Sequence, residues 1–380
     1  MLRPGRLVGI DLARTVALVG MIATHVLDPR TTTGELTFTE QLAGGRASAL
    51  FAVLAGLSMA LISGGREPVV GRERVRTSLG LAARAVLVAL VGLALGGLET
   101  GLAIILVYYA VLFLLGLPFL GLRARTLAVL AAVWALAAPL LSHLVRPALP
   151  PRTLGSPDFG SLADPGQLVG ELLLTGSYPA LPWLAYLLAG MALGRADLRG
   201  WRTPLLLAIQ GAALALLATA VSRLATSLPE VRHALVPWRP TTEDELLAML
   251  AGSQHGTTPA DGAWQWLLVV APHSATPLDL AQTIGSALVV IGSCLALVAV
   301  VPRPGRYVLT LLAGAGAMPL TLYTLHVVMR TPDMWPAERA DTFGLHVAVV
   351  LVVGAAFAAA GRRGPLEWLV GWPGRRLRAG

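Results

Sequence analysis

RLVGIDLARTVALVGMIATHV, residues 6–26, is an apolar run of bilayer-crossing length that nonetheless holds Asp11, Arg14 and His25. Arg14 and His25 are eleven residues apart. That is close to three helical turns, so both leave the helix on nearly the same face, about 16 Å apart along its axis. Asp11 lies one turn before Arg14, within about 40° of the same stripe. An ionisable group inside a span costs roughly 3 kcal/mol on insertion scales, so such groups face a protein interior or a watery cavity. One face of this helix therefore lines a polar path through most of the membrane.

Working outward, the chain reads as an all-α, polytopic membrane helical bundle. Of its 380 residues 55% are hydrophobic and only 13% charged, against about 25% charged in soluble domains. The first apolar run is span-length and contains charges, unlike a cleavable leader. The single cysteine, Cys294, lies in an apolar run, which excludes an internal disulfide and a cysteine-based metal site.

Ten apolar segments are long enough, or nearly so, to cross a bilayer. They fall at about 8–27, 46–63, 78–98, 102–121, 126–145, 178–194, 204–224, 278–301, 307–329 and 343–361. With the N-terminus inside, the inner connections and the C-terminal tail collect most of the arginines, while the outer ones hold most of the acids. This asymmetry puts both termini in the cytoplasm, and the net charge of +8 needs no nucleic acid to explain it. Residues 1–380 read as one integral-membrane domain with two long outer loops, about 146–177 and 225–277. The second begins with a capping-box pattern, Thr242 with Glu245. It also carries Trp238, Trp264 and Trp266, which suit either an interfacial belt or a sugar-stacking platform.

Four histidines share one depth near the outer mouth: His25, His273, His326 and His346. Imidazole suits a general base near neutral pH. Each of the four taken alone also fits an ordinary wet interfacial histidine, but His25 shares its face with Arg14 and Asp11. Asp279, six residues after His273, can orient an imidazole or cap the eighth span. Gly190 and Gly194, spaced by four, allow close helix contact. The inner loop GGREPVVGRERVR, with Arg72 and Arg74, and the nearby Arg195 offer guanidinium groups to a phosphate-rich cytosolic ligand, or serve only as topology signals. No metal motif, P-loop or dinucleotide fingerprint is present.

Six segments in order resemble one family: GIDLARTVALVGMIATHV, GRASALFAVLAGLSMAL, YPALPWLAYLLAGMALGR, PHSATPLDL, PLTLYTLHV and RRGPLEWLVGWPGR. Together they look like bacterial membrane proteins related to heparan-α-glucosaminide N-acetyltransferase, with YeiB-like proteins sharing several. The spacing of Arg14 and His25 resembles the signature of the wider transmembrane acyltransferase superfamily.

This resemblance implies a multi-pass enzyme of a bacterial plasma membrane. It would move an acetyl (acyl) group from cytosolic acetyl-CoA to an extracytoplasmic amino sugar or glycan. It implies a catalytic histidine, which by position is His25, with His326 and His273 as rivals and Asp279 in support. Arg14 and Asp11 fall on the acyl-CoA side, joined as candidate donor contacts by Arg72, Arg74 and Arg195. Ser274, Thr276 or backbone N–H groups around 274–279 could hold an oxyanion. Direct transfer and an acetyl-histidine intermediate both stay open, as does a homodimer. The implied partners are acyl-CoA, the sugar acceptor and the bilayer, with no nucleic acid. Where the family reads Arg-Gly after Asp-Leu-Ala, Thr15 follows Arg14 here. The main alternative is a transporter or flippase whose substrate follows the charged stripe.

Overall fold

The computed structural model describes residues 7–153, 155–252, 256, 258–332 and 340–379. Eleven principal helices build it: α1 Val8–Val26, α2 Arg46–Ile62, α3 Gly71–Gly96, α4 Leu106–Gly116, α5 Ala124–Val145, α6 Ala180–Gly194, α7 Arg202–Thr226, α8 Pro277–Val300, α9 Arg303–Ala317, α10 Pro319–Met329 and α11 Phe343–Ala359. Among the described residues the only extended pairing is an isolated antiparallel bridge, Arg30 with Leu36.

Six of these helical stretches are long and apolar enough to cross a membrane, and up to eight if two bent pairs each count as one span. The remaining two expected segments are shorter apolar helices, Leu106–Gly121 and Phe343–Ala359. The outer ring shows itself by apolar side chains left uncovered. Leu206, Leu216, Leu217 and Leu224 of α7, and Val129, Val133, Leu136 and Leu144 of α5, are all exposed. Such continuous aliphatic faces are stable only against lipid or protein. This is a polytopic membrane protein.

α1 and α6 form the centre. α1 packs on α9, α8 and α2, and α6 lies between α2 and α5. Small residues set these distances. A Cβ at Gly190 would collide with Val53 O, and one at Gly194 would come within 2.7 Å of Leu57 O, so α6 and α2 touch backbone to backbone. The sequence spacing of those two glycines anticipates this seam. Across α1, Thr15 Oγ1 accepts from Gly316 N at 2.9 Å and reaches Leu312 O at 3.0 Å. Thr15 thus fastens α1 to α9.

Both bent pairs break at proline. α9 and α10 meet at 68° across Met318 and Pro319, where the sequence alone reads one continuous span at 307–329. Breaking a helix at membrane depth frees backbone N–H groups that need partners. Glu367, from the short helix Pro365–Val370, provides them: its Oε1 accepts from Leu320 N at 2.7 Å and Thr321 N at 3.1 Å. The second bend, 51°, joins Pro165–Thr175 to α6. The expected loop 146–177 therefore contains a helical arm, GQLVGELLLT, anchored by the buried Glu171, whose carboxylate accepts from Thr153 N at 2.6 Å and Gln167 Nε2 at 2.7 Å.

The segment 225–277 is also more than a loop. Pro229–Leu235, Glu243–Leu250 and the turn Trp264–Leu268 enclose a separate small core of Val231, Leu235, Leu246, Leu250, Trp266 and Val269. The capping box at Thr242 and Glu245 is present. Trp266 belongs to this core, whereas Trp238 and Trp264 are exposed. Arg30 Nη2 donates to Ala248 O at 3.1 Å, holding this cap beside the chain that leaves α1.

Candidate functional site

The end of α1 at His25 meets two other helices through imidazole rings. His25 Nδ1 lies 3.1 Å from His326 Nε2, with the rings stacked at 5.3 Å and 9°. His326 Nδ1 lies 3.0 Å from His346 Nδ1, the rings edge-on at 4.9 Å and 77°. His326 and His346 are buried and His25 half-buried. Three helices thus contribute one ring each to a continuous hydrogen-bonded chain. Arg330, at the end of α10, is close enough to act electrostatically on all three rings. Since His326 spends one nitrogen on each neighbour, the lone pairs do not converge on a point. Among the described residues no group of three His, Cys, Asp or Glu is arranged to hold a metal ion.

His273 approaches from the cap. It lies within electrostatic range of His25, and its ring stands edge-on to Tyr178 at 5.6 Å. Its backbone is left-handed (φ 59°), as is that of Ala275 (φ 52°). Such conformations cost about 1–3 kcal/mol each outside glycine and persist only where the surroundings enforce them. Asp279 does so: its Oδ2 accepts from Ala275 N at 3.0 Å, while its own N–H donates to the helix-capping Thr276 Oγ1 at 3.0 Å. The carboxylate thereby pins the turn that presents His273. Ser274 and Thr276 are buried in the same turn, and Thr276 Oγ1 donates to Val269 O at 2.6 Å.

The other end of the α1 stripe is equally organised. Asp11 is buried, Arg14 Nη1 donates to Asp11 Oδ1 at 2.5 Å, and Arg14 Nη2 donates to Ser58 Oγ at 2.7 Å. Arg84 on α3 lies in electrostatic range of both Arg14 and Glu367. A polar cluster from α1, α2, α3 and the C-terminal segment therefore stands about three helical turns from the imidazole chain.

The remaining arginine candidates separate. Arg72 is exposed, and Arg74 Nη2 donates to Pro118 O at 2.8 Å. Arg195 is buried: Nη1 donates to Ala60 O, Ser63 O and Gly65 O, and Nη2 to Ser63 Oγ and Leu120 O. Its guanidinium closes the ends of α2, α4 and α6, though its edge also borders a cleft of about 570 Å³ lined by Arg66, Arg123 and Arg125. Sequence reasoning put His346 at the right depth but gave it no role, and missed Ser58, Arg330 and Glu367. Their only signal is a polar residue on an apolar helix or at its end.

The fold is a multi-helix membrane core with an ionic cluster towards one end of a central helix and a buried imidazole chain at the other, which places it among polytopic membrane proteins with ionisable groups inside the bundle. The family model described as heparan-alpha-glucosaminide N-acetyltransferase, catalytic, matches residues 6–227, and the chain belongs to this family. The matched stretch holds Asp11, Arg14 and His25, while His273, Asp279, His326 and His346 follow it. Comparison with curated proteins gives no match.

Proposed function

We propose that this membrane acetyltransferase takes its acetyl group from acetyl-CoA on the cytosolic side of a bacterial plasma membrane. It passes that group to the amine of an extracytoplasmic amino sugar or glycan. Ten spans with both ends in the cytoplasm fit the arginine asymmetry and the ten apolar helical segments. The Arg14 end of α1 then faces the donor, with Asp11, Arg72, Arg74 and Arg195 on the same side, and the His25 end faces the acceptor. The supporting observation is the pairing of half-buried His25 with His326 at one end of α1, opposite the Arg14–Ser58 contact at the other. The roughly three turns between them match the reach of an extended pantetheine arm.

In the chemical step, the acceptor amine attacks the thioester carbonyl. A C–N bond forms, the C–S bond breaks, and CoA leaves as its thiolate. His25 Nε2, whose partner nitrogen is held by His326, takes the amine proton. His326 and His273 stand close enough to be rivals for that role, and Asp279 supports His273 through its turn. His25 is favoured because it alone lies within the matched family stretch.

The test is CoA release by purified protein with and without glucosamine, beside His25→Ala. Release that rises with glucosamine and disappears in the variant, with acetyl-CoA binding retained, supports the reading. Folded protein that neither binds nor consumes acetyl-CoA refutes it. The two bent helix pairs favour one second reading, a transporter, because broken helices line substrate paths in such proteins. That reading predicts substrate movement into vesicles without consumption of acetyl-CoA.

A further inference from the structure

We infer that His326 and His346 form a proton relay behind His25, so that the proton taken from the acceptor leaves through His346 rather than staying on the base. The inference rests on the reading of His25 as the base. It starts from the connectivity of the chain: His25 Nδ1 to His326 Nε2, then His326 Nδ1 to His346 Nδ1.

A neutral imidazole has one N–H and one lone pair, so a chain of three rings has two self-consistent proton arrangements. In the first, His25 Nδ1–H donates to His326 Nε2, His326 Nδ1–H donates to His346 Nδ1, and His346 carries its single proton on Nε2. This arrangement leaves the His25 Nε2 lone pair free to act as a base. In the second, every proton has moved one place: His25 holds Nε2–H, His326 holds Nε2–H and His346 holds Nδ1–H. Passing from the first to the second takes up one proton at His25 Nε2 and releases one from His346 Nε2. No ring retains a charge and no bond is left unmade. The reverse shift takes up a proton at His346 Nε2 and delivers one from His25 Nε2 to the departing CoA thiolate, which leaves as the thiol and resets the chain.

Two further features favour moving a proton over holding it. His326 and His346 are buried, and an isolated charge in such a seam is costly. The groups facing the chain include the cation of Arg330 on α10 and the imidazole of His273 from the cap, and neither is an anion that would hold an imidazolium in place. His346 is the fourth residue of α11, so the chain ends one turn from the start of that helix. The central ring is bonded at both nitrogens, one to each neighbour, which is the connectivity a proton path through it requires.

The experiment uses the full chain in detergent with acetyl-CoA and glucosamine, and compares His25→Ala, His326→Gln and His346→Asn. Each amide can hold one of the hydrogen bonds yet cannot pass a proton. The relay predicts that His346→Asn keeps KM for acetyl-CoA within about twofold and lowers kcat by about 10- to 100-fold, with partial recovery when imidazole is added. Unchanged kcat, or a loss that imidazole does not touch, overturns the relay. Single-turnover rates of the unaltered protein across H2O–D2O mixtures test the same point without any variant. A bowed dependence reflects several protons in flight and supports the relay, while a straight line refutes it. Turnover that dies in His25→Ala but is indifferent at His326 and His346 removes the relay and leaves the acetyltransferase reading standing. An unaltered protein without turnover removes both.

Discussion

Arg14 Nη2 donates to Ser58 Oγ at 2.7 Å, which ties α1 to α2 at the depth where Asp11 is buried. The same guanidinium neutralises Asp11, so its two jobs differ in size. Arg14→Ala removes the guanidinium that donates to the buried Asp11 carboxylate, a loss of about 3–5 kcal/mol. Ser58→Ala removes a single neutral acceptor and costs about 1 kcal/mol. Thermal unfolding in detergent should therefore rank Arg14→Ala far below Ser58→Ala, with Asp11→Asn in the Arg14→Ala background restoring part of the loss. Equal melting temperatures for the two single variants would show that Asp11 does not depend on Arg14.

The α2–α6 seam makes a second, sharper comparison. A methyl group at Gly190 meets Val53 O, and backbone cannot rotate out of the way, so the two helices must part. Gly190→Ala is expected to cost about 1–3 kcal/mol through overpacking. Gly344 has nothing within 4 Å of the same hypothetical methyl. Gly344→Ala should lie within about 0.5 kcal/mol of the parent. Side-by-side melting curves decide the matter, and a Gly190→Ala protein as stable as Gly344→Ala would rule out the close approach.

The Gly190–Gly194 spacing and the capping box were legible in the sequence because each is a local pattern on one helix. So was the common depth of His25, His326 and His346, which follows from counting along apolar runs. Their contact was not legible: His25 and His326 are 301 positions apart, and no single-chain pattern sets the rotation of one helix against another. The break at Met318–Pro319 was hidden for a related reason. Its freed N–H groups are satisfied by Glu367, a residue from a different segment, so the local sequence carries no sign that the break is tolerated. The arm at Pro165–Thr175 was masked by its flanking prolines and glycines, which read as a loop although the residues between them are apolar.

The cap built from residues 229–268 offers a pH test outside the long apolar helices. Thr242 N donates to Glu245 Oε2 at 2.9 Å, and this bond, with help from Arg239, holds the Glu245 carboxyl below its ordinary value of 4.5. A carboxyl lowered on folding stabilises above its unfolded pKa, and that contribution fades as the pH falls through the folded value. The short helix Glu243–Leu250 should therefore be protected at neutral pH and loosen as the pH falls below about 4.5. Amide protection factors corrected for intrinsic exchange should fall over that range in the parent. In Glu245→Gln they should stay level. A parallel fall in both proteins would assign the acid sensitivity to another group.

Arg195 is where charge and geometry make opposite forecasts. Read as a cytosolic cation for a phosphate-bearing donor, it could be replaced by lysine with its charge kept. The structure spends its two terminal nitrogens on five oxygens, Ala60 O, Ser63 O, Gly65 O, Ser63 Oγ and Leu120 O, drawn from the ends of α2 and α4. A lysine ammonium has three donors radiating from one point and cannot span that set. Arg195→Lys should lose at least two of these five charge-assisted bonds, each worth about 1.5–3 kcal/mol. The expected outcome is a clear drop in melting temperature with little change in acetyl-CoA affinity of the protein that remains folded. The converse, normal stability with a tenfold weaker Kd for acetyl-CoA, would return Arg195 to the donor site and make its backbone contacts secondary.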